Sequence, residues 1–186
     1  MRRNTSEGAA EEAQVERLVH PWEAIFDSQS RVLILGTFPS PKSRAAGYPY
    51  GHSQNIFWST LAWSLGVEAL PQGADAEQRR EWLLLHRVAV WDVIHSCVIS
   101  GASDASISDV EPNHFRPIIE ASQIVGVFTT GRKATELFNS LCAEEAGLAA
   151  GYLPSTSPAN RAAQSRDDFL QQWSQVGRQV RGEAQT

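Results

Sequence analysis

A short apolar run near residue 30 constrains the fold more than any other feature of this sequence. The segment RVLIL at 31–35 places four large aliphatic side chains in succession, and Gly36 follows it. A continuous apolar run predicts a strand that is buried on both faces, which is typical of a parallel sheet enclosed by helices. We therefore expect an α/β protein with this segment as its first core strand.

The remaining apolar segments alternate between strand and helix patterns. Strands are predicted at 31–35, 87–91, 124–129 and 151–153, and helices at 56–65, 76–85 and 114–121, in a segment after Gly131, and in a long terminal segment. Such alternation predicts a doubly wound α/β layer. The segments that follow parallel strands lie along one edge of the sheet, so GTFPS at 36–40, the polar loop 100–113 after Asp92, and PSTSPAN at 154–160 are expected to meet there.

Length and composition limit the domain count and the class of protein. The 186 residues are 42% hydrophobic and 20% charged, as in one globular domain. We expect a loose tail over 1–19, a single domain over 20–186, and a monomer. No apolar run approaches the roughly 20 residues of a membrane helix, and the N-terminus lacks a secretory pattern, so a cytoplasmic protein is expected. Cys97 and Cys142 form no metal-binding pattern, and we expect neither a metal nor another cofactor.

The loops hold the candidate site residues, since no nucleotide-binding fingerprint or nucleophile elbow is present. Asn55 stands before a predicted helix, either as an N-cap or as a carboxamide directed into a cavity. Tyr50 lies nearby and could stack on a planar ligand. Ser157 and the proline after it either begin the last helix or, with Arg161, help to hold a phosphate. The net charge of −5 argues against a large basic surface but permits a few local phosphate contacts.

Four segments in consistent order resemble one enzyme family. RVLILGTFPSPKSRAAGYPYGHSQNIFW, VAVWDVIHSC with SDASI, VFTTGRKATELF and LPSTSPANR resemble the motif regions of the uracil-DNA glycosylase superfamily, and most closely its hypoxanthine-DNA (deoxyinosine) glycosylase branch. The resemblance covers about residues 31–160. It implies a three-layer α/β/α fold around a four-stranded parallel sheet, and a monofunctional, metal-free enzyme that flips a deaminated base out of DNA.

The resemblance also implies roles for individual positions. Asn55 matches the catalytic asparagine of the branch, Tyr50 matches an aromatic residue that stacks on the flipped base, and 155–160 match a loop that presses on the DNA backbone. The full candidate set is Asn55 for catalysis; Gly36, Thr37, Phe38, Pro39, Ser40, Tyr50 and Asp92 for substrate binding; and Lys42, Ser155, Thr156, Ser157, Asn160 and Arg161 for DNA binding.

Three positions depart from the pattern of the branch. Ser53 and Ile56 stand where the branch has proline and arginine around its asparagine, and Phe38 stands where most pyrimidine-excising relatives have Asn or Asp. A phenyl ring holds no water for attack on a sugar, so we expect inosine to be preferred to uracil. A uracil or mismatch glycosylase of broad scope, and a lesion-binding module without turnover, are the alternatives.

The expected chemistry needs a hydrogen-bond donor near the base. Cleavage of a purine–deoxyribose bond develops negative charge on the departing base, and the carboxamide of Asn55 can donate to it. Hypoxanthine presents N1–H beside O6, whereas adenine presents the reverse pattern, so a freely rotating amide could bind either. A second group must therefore orient the amide, and the sequence leaves both Asp92 and a backbone group open.

Overall fold

The structure is a computed structural model that describes residues 16–99 and 106–183. Its strands are β1 (Glu16–Val19), β2 (Val32–Gly36), β3 (Val88–Asp92), β4 (Ile94–Ile99), β5 (Ser108–Pro112), β6 (Gly126–Thr130) and β7 (Ala150–Leu153). Its helices are α1 (Pro41–Ala46), α2 (Phe57–Leu65), α3 (Ala76–Leu85), α4 (Arg116–Glu120), α5 (Arg132–Leu141), α6 (Ala143–Ala146), α7 (Arg161–Gln164) and α8 (Asp168–Arg181).

The central sheet has four parallel strands in the order β3-β2-β6-β7. All five residues of β2 are buried, and its side chains alternate between two apolar cores. Val32 and Ile34 pack with residues of α2, α3 and α8, whereas Leu33 and Leu35 pack with residues of α4, α5 and α6. The predicted three-layer α/β/α arrangement with a four-stranded parallel sheet is confirmed. No helix in the described ranges is long and apolar enough to cross a membrane.

A second sheet, which the sequence analysis did not predict, lies beside the first. Strands β1, β4 and β5 form an antiparallel sheet in the order β1-β4-β5. Residues 16–19, assigned above to a loose tail, therefore form a strand, while 1–15 lie outside the described residues. β4 begins two residues after Asp92 and leads the chain away from the parallel sheet. No residue of 106–113 lines the cavity at the strand ends, although Asn113 at the end of the predicted polar loop donates a hydrogen bond to the Asp92 carbonyl. Residues 100–105 lie outside the described residues.

Two further segments differ from the predictions. The long loop after β2 contains α1, which Ser40 caps by accepting a hydrogen bond from the Ser43 N–H at 3.2 Å, and which ends at Gly47 in the left-handed region (φ 77°). The predicted terminal helix is interrupted: Ser157 caps only a 3₁₀ turn over Pro158–Asn160, α7 follows, and α8 begins at Asp168. Ser157 therefore does not stand at the N-terminus of a long helix, and the backbone N–H groups beside it belong to the short 3₁₀ turn.

Helices α2 and α8 approach each other at Gly177. The Ser64 hydroxyl donates to the Trp173 carbonyl at 2.6 Å and accepts from the Gly177 N–H at 3.1 Å. A Cβ atom at residue 177 would lie 1.9 Å from the Ser64 carbonyl oxygen, so this crossing requires glycine. The contact holds α2 against α8. Because Asn55 lies just before α2, the position of the helix also determines where Asn55 lies.

Gly177→Ala is expected to destabilise the fold by about 1–3 kcal/mol or more, because backbone atoms must separate to admit the methyl group. Chemical denaturation measures the change in the free energy of unfolding. Gln171→Ala, at an exposed position of the same helix, is the control and should stay within about 0.5 kcal/mol of the wild type. Equal stability of the two variants would contradict the close crossing.

Candidate active site

A pocket lies at the edge of the parallel sheet where its four strands end. Gly36 at the end of β2 pairs with Asp92 at the end of β3, and Thr130 at the end of β6 pairs with Leu153 at the end of β7. The cavity has a volume of about 370 Å³, within the range of about 300–1,000 Å³ that is usual for small-molecule sites. The convergence of the strand ends therefore places segments that are distant in sequence around one cavity.

Most of the candidate residues line this cavity. Those that do are Gly36, Thr37, Phe38, Pro39, Ser40, Tyr50, Asn55, Asp92, Ser155, Thr156 and Ser157. Three predicted DNA-binding residues, Lys42, Asn160 and Arg161, do not line it. Four lining residues were not predicted, which are Ser43, Pro49, His52 and Thr130. Two more, Pro158 and Ala159, lie within the predicted DNA-contacting segment 155–160. Thr130 follows a predicted strand, so the rule that parallel strand ends share an edge could have identified it.

Glycine at residue 36 makes room for the carboxylate of Asp92. A Cβ atom on Gly36 would lie 2.3 Å from Asp92 Oδ1, so no other residue fits without displacing the carboxylate. The Asp92 carbonyl accepts a hydrogen bond from the Asn113 Nδ2 group at 2.9 Å, and Asp92 itself is 6% exposed. The carboxylate is thus enclosed at the edge of the sheet while still lining the cavity.

A buried histidine is the hydrogen-bonding partner of this carboxylate. His20 Nε2 lies 2.9 Å from Asp92 Oδ2, and the two side chains are 1% and 9% exposed. The imidazole also makes edge contacts with the rings of Trp22, Phe38 and Trp91. His20 was not among the predicted site residues, because 72 residues separate it from Asp92 and no spacing rule links the two.

Tyr50 is held rigidly between the cavity and the core. Its ring stacks on Phe57 with the centroids 3.7 Å apart, and its hydroxyl lies 3.1 Å from Thr130 Oγ1. Its backbone has φ 55°, in the left-handed region. Burial and, secondarily, the negative charge of Asp92 raise the pKa of Tyr50 well above its ordinary value. One face of the ring is therefore occupied by Phe57, and the residue also lines the cavity.

The orientation of the Asn55 carboxamide is set by the backbone. Asn55 Oδ1 accepts a hydrogen bond from the Phe57 N–H at 3.0 Å, at the first residue of α2. An N–H group can pair only with the oxygen of the amide, so the NH₂ group is left to donate elsewhere. Of the two groups left open by the sequence, the backbone is the one that orients the amide. Asn55 both supports the helix start and offers a donor to the cavity.

Phe38 faces both the core and the cavity. It is 7% exposed, packs with the core on the α5 side of the sheet, and contributes to the lining of the cavity. The Arg44 guanidinium lies 5.9 Å from the centre of its ring. Phe38 therefore belongs to the core and at the same time forms an apolar part of the cavity wall.

The segment 155–157 is braced by side chains that follow it. Asn160 Nδ2 donates to the Ser155 carbonyl at 3.0 Å, and Gln164 Nε2 donates to the Ser157 carbonyl at 2.7 Å. The Ser155 and Ser157 hydroxyls each accept a backbone N–H and keep their own proton to donate. Thr156 is 1% exposed, and its Oγ1 has no hydrogen-bond partner in the described part of the chain. Asn160, predicted to bind DNA, thus supports the loop in this structure.

Among the described residues, no cluster of three or more His, Cys, Asp or Glu side chains could hold a metal ion. The groups available in the cavity are an amide donor, a carboxylate, an imidazole, hydroxyl groups and aromatic rings.

Sequence comparison identifies the family. The model of the uracil DNA glycosylase superfamily matches residues 24–177, a range that contains every residue lining the cavity. This chain belongs to the uracil DNA glycosylase superfamily.

The relatives narrow the resemblance to one branch. A protein of Methanosarcina acetivorans named hypoxanthine DNA glycosylase is 32% identical over 139 residues, which is 74% of this chain and 85% of the relative. A protein of the same name from Methanosarcina barkeri is 31% identical over 138 residues, with the same coverage of each chain. A solution NMR structure from M. acetivorans, described as a candidate uracil DNA glycosylase, superposes with a TM-score of 0.73 at 29% identity and covers 87% of this chain and 98% of the other. The predicted resemblance to the hypoxanthine-DNA glycosylase branch is confirmed.

The raised pKa of Tyr50 predicts a loss of stability at alkaline pH. In the unfolded chain this phenol ionises near its ordinary value of 10.0, whereas in the folded protein it stays protonated. Because the unfolded state then loses its proton first, the free energy of unfolding falls as the pH rises above about 10. Tyr50→Phe has no phenol at residue 50, so its free energy of unfolding lacks this pH-dependent contribution.

Denaturation of both proteins at several pH values between about 7 and 11 tests this expectation. At pH 7 the wild type should be more stable than Tyr50→Phe by about 1 kcal/mol, which is the usual contribution of one hydrogen bond such as that to Thr130. The difference should shrink as the pH rises, while all other titrating groups contribute equally to both proteins. A constant difference would contradict the burial of this hydroxyl.

Proposed function

We propose that this chain is a monofunctional DNA glycosylase that hydrolyses the N-glycosidic bond of deoxyinosine in DNA and releases hypoxanthine from a flipped nucleotide. The observation that carries the proposal is the pairing of a fixed donor with an acceptor in the cavity. Asn55 offers its NH₂ group, since its oxygen is engaged by the Phe57 N–H. Asp92 offers Oδ1, which accepts no hydrogen bond from the described residues, while its Oδ2 is engaged by His20.

This pair is complementary to the lactam edge of hypoxanthine. The Asn55 NH₂ group donates to O6, and the Asp92 oxygen accepts from N1–H. Adenine presents an amino donor and a bare N1 acceptor, so both contacts become repulsive. A site built to satisfy polar groups rejects a mismatched base strongly, because its own buried groups are then left unpaired. Guanine shares the lactam edge, and its additional 2-amino group is the feature that the pocket must exclude by shape.

The reaction is a hydrolysis in which the carbon–nitrogen bond breaks with its electron pair moving to the base. The sugar becomes oxocarbenium-like, and water adds to its anomeric carbon and loses a proton. The departing base takes up one proton, so the products are neutral hypoxanthine and an abasic sugar. Negative charge grows on the base, so the donor of Asn55 binds the departing base more tightly than the intact nucleotide, which lowers the barrier. Tyr50 contributes its ring to the planar base.

The DNA backbone is held by local contacts around the cavity. The hydroxyl groups of Ser155 and Ser157 are half-buried at its rim and can donate to phosphate oxygens. Lys42 and Arg161 are exposed on α1 and α7, next to lining segments. With a net charge of −5, these contacts rather than a broad basic surface provide the affinity.

Broad excision that includes uracil is the second candidate function. Uracil also presents an N–H group beside a carbonyl, so the same donor and acceptor can bind it. The description of the M. acetivorans structure as a candidate uracil DNA glycosylase agrees with this alternative. Phe38 argues against it, because a phenyl ring at that position provides no polar partner for water or for a pyrimidine.

A panel of duplexes containing inosine, xanthine, uracil, or only normal bases tests the proposal. Incubation followed by alkali should cleave the inosine strand strongly, the uracil strand weakly, and the normal duplex not at all. Borohydride should trap no covalent complex, because neither lysine of the chain, Lys42 or Lys133, lines the cavity. A gel shift without cleavage would indicate a lesion-binding module, and efficient uracil excision would favour the broader activity.

Asn55→Ala is expected to lower single-turnover inosine excision by roughly 10²–10³-fold, as is typical when one preorganised donor is removed. Loss of the bond to the Phe57 N–H should also cost about 1 kcal/mol of stability. Asn139→Ala is the matched control, since Asn139 makes two hydrogen bonds to residue 150 away from the cavity. Near-normal excision by the Asn55 variant would show that the residue is only a cap.

Phe38→Asn is expected to raise uracil excision while reducing inosine excision and costing several kcal/mol of stability, since the ring is buried. Phe38→Leu preserves an apolar wall and should keep the preference for inosine. The rates of uracil and inosine excision are measured for each variant below its melting temperature, and the ratio of the uracil rate to the inosine rate is compared. An unchanged ratio in Phe38→Asn would show that the residue serves the core alone.

A further inference from the structure

His20 is a buried ionisable side chain that does not line the cavity but contacts a residue that does. Its imidazole is 1% exposed, and both of its ring nitrogens have polar neighbours. Three aromatic rings surround it. A polar group enclosed in this way is costly unless its hydrogen bonds are complete, so the positions of its protons can be derived from its partners.

The proton on Nδ1 follows from the backbone. Nδ1 lies 2.7 Å from the Trp22 carbonyl oxygen, which can only accept, so Nδ1 must donate. The Trp22 N–H is also near Nδ1, but at 3.4 Å it is the weaker contact. The tautomer is thereby fixed, and Nε2 is the atom directed at Asp92.

A second proton lies between His20 and Asp92. With Nδ1 protonated, an unprotonated Nε2 would place its lone pair 2.9 Å from the lone pairs of Asp92 Oδ2. One shared proton removes this repulsion and joins the two atoms in a hydrogen bond. The shared proton binds Oδ2, so Oδ1 is left as the oxygen that faces the cavity.

The backbone of His20 is anchored independently of the parallel sheet. It follows β1, and its N–H donates to the His95 carbonyl at 2.7 Å in β4. The histidine thus reaches Asp92 from the antiparallel sheet and connects the two sheets at the site. Side chains held between two sheets have little freedom to move, which suits a group that orients another.

We propose that His20 is a positioning residue that determines which atom residue 92 presents to the base. By binding Oδ2 it keeps Oδ1 in the cavity as an acceptor for the ring N–H of a lactam base, and so supports discrimination between hypoxanthine and adenine. The inference rests on the proposed function, in which Asp92 binds that N–H group.

An amide at residue 92 should still present its oxygen to the cavity. In Asp92→Asn, neutral His20 still carries its proton on Nδ1, so Nε2 becomes an acceptor and takes the amide NH₂ group. The amide oxygen then faces the cavity, as Oδ1 does in the wild type. Asp92→Asn should therefore keep inosine excision within about 10-fold of the wild type, whereas Asp92→Ala should lose roughly 10²-fold or more.

A double-mutant series measures whether His20 acts through residue 92. Two variants of His20 are made. His20→Phe fits the aromatic environment, and His20→Gln keeps a hydrogen-bond donor. Each is combined with wild-type Asp92, Asp92→Asn and Asp92→Ala. Single-turnover inosine excision and thermal stability are recorded for every protein. His86→Gln is the control, because His86 also contacts a backbone carbonyl through Nδ1, at 2.7 Å from Trp82, and does not line the cavity.

His20→Phe should lower excision by about 10-fold or more with Asp92 or with Asp92→Asn, and have no further effect in Asp92→Ala. His20→Gln should restore most of the activity with Asp92, and His86→Gln should leave excision unchanged. An equal cost of His20→Phe in all three backgrounds, or no rescue by His20→Gln in a folded protein, would overturn the proposal. Failure of the wild type to excise hypoxanthine would instead refute the proposed function.

Discussion

The burial of β2 on both faces is the constraint on which the rest of the structure depends. A strand with aliphatic side chains in succession needs an apolar layer on each side, and α2, α3 and α8 supply one while α4, α5 and α6 supply the other. Parallel neighbours follow, since the connecting helices must cross over the sheet. All four strands then end at the same edge, and the loops that follow them surround one cavity.

The same edge holds a carboxylate in surroundings that are mostly apolar. Its burial is possible because Gly36 leaves space for Oδ1 and because His20 provides a partner for Oδ2. Without the histidine, a charge at this position would be left uncompensated, a situation that costs several kcal/mol in proteins. The antiparallel sheet therefore belongs to the architecture of the site, since β1 carries the chain to His20.

The site is also rigid before any ligand arrives. The Tyr50 ring is stacked on Phe57, the Asn55 amide is held by the start of α2, and the segment 155–157 is tied by Asn160 and Gln164. Each of these groups is ordered by folding, so a base that enters the cavity does not have to order them. Preorganised dipoles of this kind make the largest single contribution to the rate enhancement of many enzymes.

Local patterns in the sequence determined the parallel sheet, most of the helix positions, and the segments around the cavity. These depend on side-chain periodicity, on glycine and proline, and on capping residues, all of which act over a few neighbouring positions. The tertiary structure alone decided the antiparallel sheet, the interruption of the terminal helix, and the pairing of His20 with Asp92. The antiparallel sheet and the His20–Asp92 pair arise from contacts between residues that are far apart in the chain, and a contact at a separation of 72 residues leaves no periodic pattern to detect. The orientation of the Asn55 amide is a local feature, since its partner is the N–H two residues further on, but only the structure shows that this N–H, and not Asp92, engages the amide oxygen.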